Sequence, residues 1–388
     1  MEAPPSRRQA GAAVIALGIG WLLGPGGLGF LRPALMEDGG LVESVGEMAL
    51  LVCLFCIGLR LRMPLALSCW RTPLRLSTLS FLVTAVLAAA AGHLVLNMSL
   101  THALLLGFIV APTEAVFASD GHFPTEADDD AAVTLAAESG INNGLAPAAV
   151  GWVLGMIGLL GTDSQAIGSL SLLVAWAVLG GVLLGWLIGA GMARAITLLD
   201  PERQADFLEE TVVFSTAALA YGAALALRAD GFMAVFIAGI ALSHGGRLRH
   251  PLRNRPLMPR VARVAAVLER VTWLGVIVLV GALLGNVEFH ARMLVFALLL
   301  LLLLRPLAVR LGLGQVAMSA AQWRTVAWCC SRGVAPVYCL AFALNHGLSA
   351  PFARELTGAT LVVVVTSVIA SAIAALPLSR PSPGTVDL

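Results

Sequence analysis

Glu138-Ser139-Gly140-Ile141-Asn142-Asn143-Gly144 sets a carboxylate and two amides inside an apolar run extending from about residue 132 to 158. A charged side chain at bilayer depth costs roughly 3 kcal/mol on insertion scales, so an ionisable group there marks a functional site by default. The rest of the chain must then supply partners for Glu138.

With 388 residues, 59% hydrophobic and 12% charged, the chain is too apolar for an ordinary soluble surface. Runs of about 20 apolar residues, each able to cross a bilayer core of roughly 30 Å as a helix, recur throughout. Twelve are expected, near 10–30, 41–59, 76–97, 100–119, 132–158, 166–191, 209–227, 231–244, 271–286, 293–309, 323–344 and 356–377. The reading is an all-α integral membrane protein of about 12 transmembrane helices. Every one of the 24 basic residues is Arg, and with loops alternating sides 18 of them fall on the side of the two termini. The positive-inside rule puts both termini in the cytoplasm, the membrane being a bacterial inner membrane. The opening MEAPPSRRQA is too short and polar for a signal peptide, so a retained first helix is expected and no soluble domain.

The net charge of +1 gives no reason to expect nucleic acid, because the arginines are spread over loops as insertion signals. The run from Arg247 to Arg263 is explained by topology, with contact to anionic lipid as a lesser use. Cys53 and Cys56 form a C-x-x-C without a second pair, so small buried residues are the expectation rather than a metal site. No cofactor is expected, and no metal beyond a transported cation. An enzyme is not expected either, since no nucleophile with its base stands out.

Before the opening motif, LLLGFIVAPTEAVFASD places Pro112, Thr113 and Glu114 in mid-run, and Pro112 cannot donate to the Phe108 carbonyl. Non-helical backbone at this depth is tolerated only where it lines a cavity or is buried in protein. The acidic loop from Asp120 to Asp130 complements the N-terminus of the next helix. Within the motif, Glu138 and Asn142 share a helix face, while Asn143 is turned by about 100°. Pro147 leaves the Asn143 carbonyl without its helical donor, so amide and backbone oxygens suited to hard cations are expected there.

Later, LLLLLLLLRPLAVRLGL buries Arg305 before Pro306, and Glu138 is its natural partner. WCCSRGVAPVYCLAF mirrors the first break with Arg332, Gly333 and Pro336. Broken helices in matching positions of two halves point to a transport site built from inverted repeats. Glu114 is expected to offset half-helix N-termini and Arg332 the C-termini, each worth up to roughly 2 kcal/mol when partly buried. Glu47 reads equally as an interfacial group or a cavity carboxylate. Segments 6 to 9 read as packing surface apart from Glu209-Glu210, with Trp186 and Trp273 as interfacial anchors.

APTEAVFASD, ESGINNGLA, LLRPLAV and SRGVAPVYCLAF, in this order, resemble the sodium/proton exchanger branch of the monovalent cation/proton antiporter superfamily. The resemblance extends over nearly the whole chain, and the combination is specific where any one motif is weak. It implies exchange of a monovalent cation, Na+ or else K+ or Li+, for protons by alternating access. Thr113 and Glu114 match a Thr-Asp pair, Ser139 and Asn142 ligand or supporting positions, Glu138 with Arg305 a buried ion pair, and Arg332 the arginine of the second broken helix. An elevator-like core (74–158 and 293–380) would move against a scaffold (9–62 and 205–290) across a linker helix (166–199), as a homodimer in the lipid bilayer.

Three departures follow from the same resemblance. Asn143 stands where the family has a titrating Asp, Glu114 replaces Asp, and the usual first helix, at the family's dimer contact, is absent. An amide does not titrate near neutral pH. Two readings stay open: an active antiporter whose titrating carboxylate is Glu114, or a transport-deficient or regulatory cation-binding homologue.

Overall fold

In hydrocarbon every backbone N–H and C=O must be satisfied within its own segment, so runs of Leu, Ala and Val fold as helices. The computed structural model describes residues 5–33, 39–61, 63–64, 66–114, 130–159, 167–199, 206–245, 259–314, 316, 320–328 and 331–375. Among them the chain is helical, and its helices group into the twelve expected spans. The first two are α1 (Pro5–Leu23) and α2 (Gly39–Arg60). The third joins α3 (Leu67–Arg75) to α4 (Phe81–Leu96) through a π-helical turn, Leu76–Ser80, and α5 (Leu100–Val110) begins the fourth. Then come α6 (Asp130–Met156), α7 (Ile167–Leu199), α8 (Asp206–Ala226), α9 (Gly231–Gly245) and α10 (Pro259–Leu283). The tenth span joins α11 (Ala291–Leu299) to α12 (Arg305–Leu313) through a second π-helical turn, Leu300–Leu304. The eleventh is split into α13 (Ala320–Trp328) and α14 (Val334–Asn345), and α15 (Ala350–Ala375) closes the set.

The repeat is visible in this order. A π-bulged span, a broken span and an uninterrupted helix occur as α3/α4, α5, α6 and again as α11/α12, α13/α14, α15. The turn at Leu76–Ser80 packs on α12, which brings the two bulged spans together. Pro306 sits in the first turn of α12, where its missing N–H costs least, and the π-helical turn before it absorbs the interrupted ladder. At the first break α5 stops at Val110, just ahead of Ala111-Pro112, as expected for residues preceding proline. The acidic segment from 120 to 129 lies outside the described residues.

Without a hydrophobic force between helices in lipid, close backbone approach must bind them. Glycines supply it. Gly181, Gly185 and Gly189 of α7 face the backbone of α9 at Asp230, Ala234 and Ala238 so closely that a Cβ would collide. Gly20 of α1 and Gly24 just after it meet Val278 and Ala282 of α10 in the same way, and Gly281 answers against Leu17. Asp230 starts α9 by accepting the Met233 N–H at 2.7 Å.

Three spans begin earlier than their apolar runs. The third starts at Leu67 rather than near 76, α10 at Pro259 rather than near 271, and α15 at Ala350 rather than near 356. The added turns carry Arg71, Arg263, Glu269 and Arg354, which lower hydropathy without lowering helix propensity. Cys53, Cys56 and Cys339 are buried, and no group of metal-binding side chains occurs among the described residues.

Candidate functional site

The two breaks meet. Glu114 N donates to Ser331 O at 2.7 Å and Ser331 N to Glu114 O at 3.1 Å, a single antiparallel bridge that satisfies backbone groups neither helix can serve. Pro336 leaves the Arg332 carbonyl without its helical donor; the Ser367 hydroxyl of α15, which donates to Val364 O at 2.8 Å, lies 3.4 Å from that oxygen. The same hydroxyl oxygen accepts the Arg332 N–H at 3.0 Å.

Two of the broken helix ends, the C-terminus of α5 and the N-terminus of α14, face a charge of the favourable sign. Glu114 Oε1 accepts the N–H groups of Val334 at 2.5 Å and Ala335 at 3.3 Å, which are the first donors of α14. Arg332 Nε donates at 2.6 Å to the carbonyl of Val110, the last residue of α5. Glu114 and Arg332 are 5% and 1% exposed, so both interactions are made away from solvent.

Beside the crossing, α6 presents the opening motif. Arg305 NH2 donates to Glu138 Oε1 at 2.5 Å, and both side chains are buried. Thr113 donates to the same oxygen at 3.5 Å and accepts the Asn142 amide at 3.0 Å, which ties the first break to α6. Asn143 donates to Ser139 Oγ at 3.3 Å. Three buried oxygens on this stretch, Glu138 Oε2, Asn142 Oδ1 and Asn143 Oδ1, accept no hydrogen bond from the described residues. Buried acceptors without donors are rare in folded proteins and call for an explanation. Oxygen atoms so placed can ligate a hard cation.

Thr113, Glu114, Glu138, Asn142, Arg305 and Arg332 thus gather around the crossing, with Ser139 and Asn143 beside them on the same turns of α6. Glu47 does not join them by any bond: its half-buried carboxylate accepts the hydroxyl of Tyr221, linking α2 to α8. Trp273 corrects its reading as an interfacial anchor. It is 2% exposed, and its indole N–H donates to Glu114 Oε2 at 2.7 Å. Trp186, at 38%, keeps an exposed ring. Segments 6 to 9 are also less purely packing surface than expected, because Glu269 of α10 forms an ion pair with Arg60 at the end of α2. One turn of helix separates Glu269 from Trp273, so α10 turns a polar face inward.

Residues 5–379 match the family model described as sodium/hydrogen exchanger, transmembrane. The K(+)/H(+) antiporter NhaP of Alkalimonas amylolytica is 26% identical over 392 aligned positions, covering 97% of this chain and 63% of the relative. The K(+)/H(+) antiporter NhaP2 of Shewanella sp. (strain MR-4) is 25% identical, covering 92% of this chain and 60% of the relative. The chain therefore spans about three-fifths of the length of these relatives. In fold it is similar to the sodium proton antiporter MjNhaP1 from Methanocaldococcus jannaschii, with a TM-score of 0.72 at 20% identity over 94% of this chain and 92% of that one.

Proposed function

This chain belongs to the sodium/hydrogen exchanger family, and we propose that it exchanges a monovalent cation for protons across a membrane by alternating access. The observation that carries the proposal is the set of three donor-less buried oxygens, Glu138 Oε2, Asn142 Oδ1 and Asn143 Oδ1, beside the helix crossing. Thr113 and Ser139 stand next to them as hydroxyl ligands or supports. The relatives named above are antiporters of potassium ions and protons, which makes K+ a candidate alongside Na+ and Li+.

Glu114 is the proposed proton carrier. Its three donors are two backbone N–H groups and an indole, all neutral, whereas Glu138 is bonded to a guanidinium. Protonating Glu138 would strand the Arg305 charge in the interior, while protonating Glu114 dismantles no ion pair. Glu138 and Arg305 then serve as a structural pair, and Arg332 as compensation for the α5 C-terminus.

In this scheme residues 74–158 and 293–380 form the moving core, 9–62 and 205–290 the scaffold, and 166–199 the linker. The arginine bias supports cytoplasmic termini, and a homodimer in the bilayer is what the family resemblance alone implies. Everted vesicles carrying the protein test the activity: Na+, K+ or Li+ should dissipate a preset pH gradient, and silence with all three rejects it.

A second reading has its own support. Both Asn142 and Asn143 are amides, and each carboxylate at the crossing is already engaged, which suits a regulatory homologue that binds a cation without exchanging protons. Cation binding by calorimetry without any dissipation of the gradient would favour it.

A further inference from the structure

Of the three donors to Glu114, two belong to the crossing itself and one does not. Val334 and Ala335 are on α14, whereas Trp273 reaches in from α10. The contact depends on Gly333: a Cβ there would lie 2.6 Å from Glu114 Oε2 and 2.9 Å from Trp273 Nε1. Among the described residues, the charged and titratable groups facing Glu114 are few. Glu269 stands one turn from Trp273 on α10, Cys53 of α2 is within electrostatic reach of both carboxylates, and Arg332 points its guanidinium at Val110. Glu269 is itself bonded to Arg60.

Resting on the exchange reading above, we propose that Trp273 is a positioning residue that latches the unloaded Glu114 carboxylate to α10 and releases it when that carboxylate is loaded. An indole N–H can only donate. It is attracted to a bare carboxylate oxygen, and it faces a like partial charge once a proton or a cation occupies the same lone pairs. A carrier that exchanges one ion for another must not cross the membrane empty. A bond formed only by the empty carboxylate, to an element outside the moving core, supplies that restraint. Trp273 thereby couples the two fluxes without ligating either ion.

The test uses the purified full chain in proteoliposomes, with thiocyanate as a permeant anion to collapse the membrane potential. Efflux of 22Na+ and of 86Rb+ is followed into an alkaline medium with and without external counter-cation. Wild-type efflux should need a counter-substrate. In Trp273→Phe, which keeps the ring and removes the N–H, efflux without counter-substrate should rise at least tenfold while cation-for-cation exchange persists. A merely structural role would slow both fluxes together. If Trp273→Phe keeps the wild-type requirement for a counter-substrate, the latch is rejected.

Tryptophan emission gives a second readout that needs no transport. Acidification or added cation should change the wild-type emission, and the change should be absent from both Trp273→Phe and Glu114→Gln. Its persistence in either variant overturns the proposal, and Glu114→Gln decides this arm alone if Trp273→Phe does not fold. Should wild type carry neither ion, the exchange reading fails, and the emission measurement still decides whether the latch exists.

Discussion

Glu138 and Glu114 are both buried carboxylates, but one is bonded to a guanidinium and the other to neutral N–H groups. Removing one partner of a buried ion pair leaves an uncompensated charge and typically costs about 3–5 kcal/mol. Glu138→Gln is therefore expected to lower the unfolding temperature in detergent strongly, with part of the loss regained when Arg305→Gln is added. A Glu138→Gln protein as stable as the parent would contradict a structural role for the pair. These residues were legible in the sequence because a polar group in an apolar run needs a physical reason to be there. Trp273 was not legible, since an indole among Val and Leu suits an interface as well as a core. Its bond to Glu114 joins positions 159 residues apart, and nothing local signals it. Glu269 gives no local signal either, because its partner Arg60 lies 209 residues away.

At the scale of the element, proline announced both breaks, and the charge beside each indicated which helix end it would face. The π-helical turns were not foreseeable, because Leu300–Leu304 is a run of leucines that an α-helix would also accept. Only the demand of Pro306 and the packing of one bulged span on the other select that geometry. Steric tolerance is also tight at Gly333, in the second break, where a Cβ would lie 2.6 Å from Glu114 Oε2. Gly333→Ala would press a methyl group against Glu114 and Trp273, forcing the carboxylate off the α14 N-terminus. Cation-dependent exchange is expected to fall more than tenfold, measured by gradient dissipation at matched protein levels, with unfolding at lower temperature. Wild-type exchange from Gly333→Ala would show that the cap on α14 is dispensable.

Across the whole molecule, the helices around the crossing are polar at a few buried points, while α7, α9, α1 and α10 are joined by glycine contacts. The twelve spans and their order were readable from hydropathy alone, and three of their starting points were not, because helical turns that carry arginine look like loops. Arg60 and Glu269 tie α2 to α10 across the seam that leads to Trp273. A double-mutant cycle with Arg60→Ala and Glu269→Ala should give a coupling of about 0.5–3 kcal/mol in thermal or denaturant unfolding. Additive effects would mean that the pair contributes nothing of its own to the seam. Exchange of a cation for protons by this fold rests on Glu114 as the proton carrier. The most direct measurement follows a preset pH gradient in everted vesicles on adding Na+ or K+, for wild type and Glu114→Gln at equal expression. Dissipation by wild type and none by Glu114→Gln is the predicted result; a silent wild type, or a Glu114→Gln variant that exchanges at the wild-type rate, would contradict it.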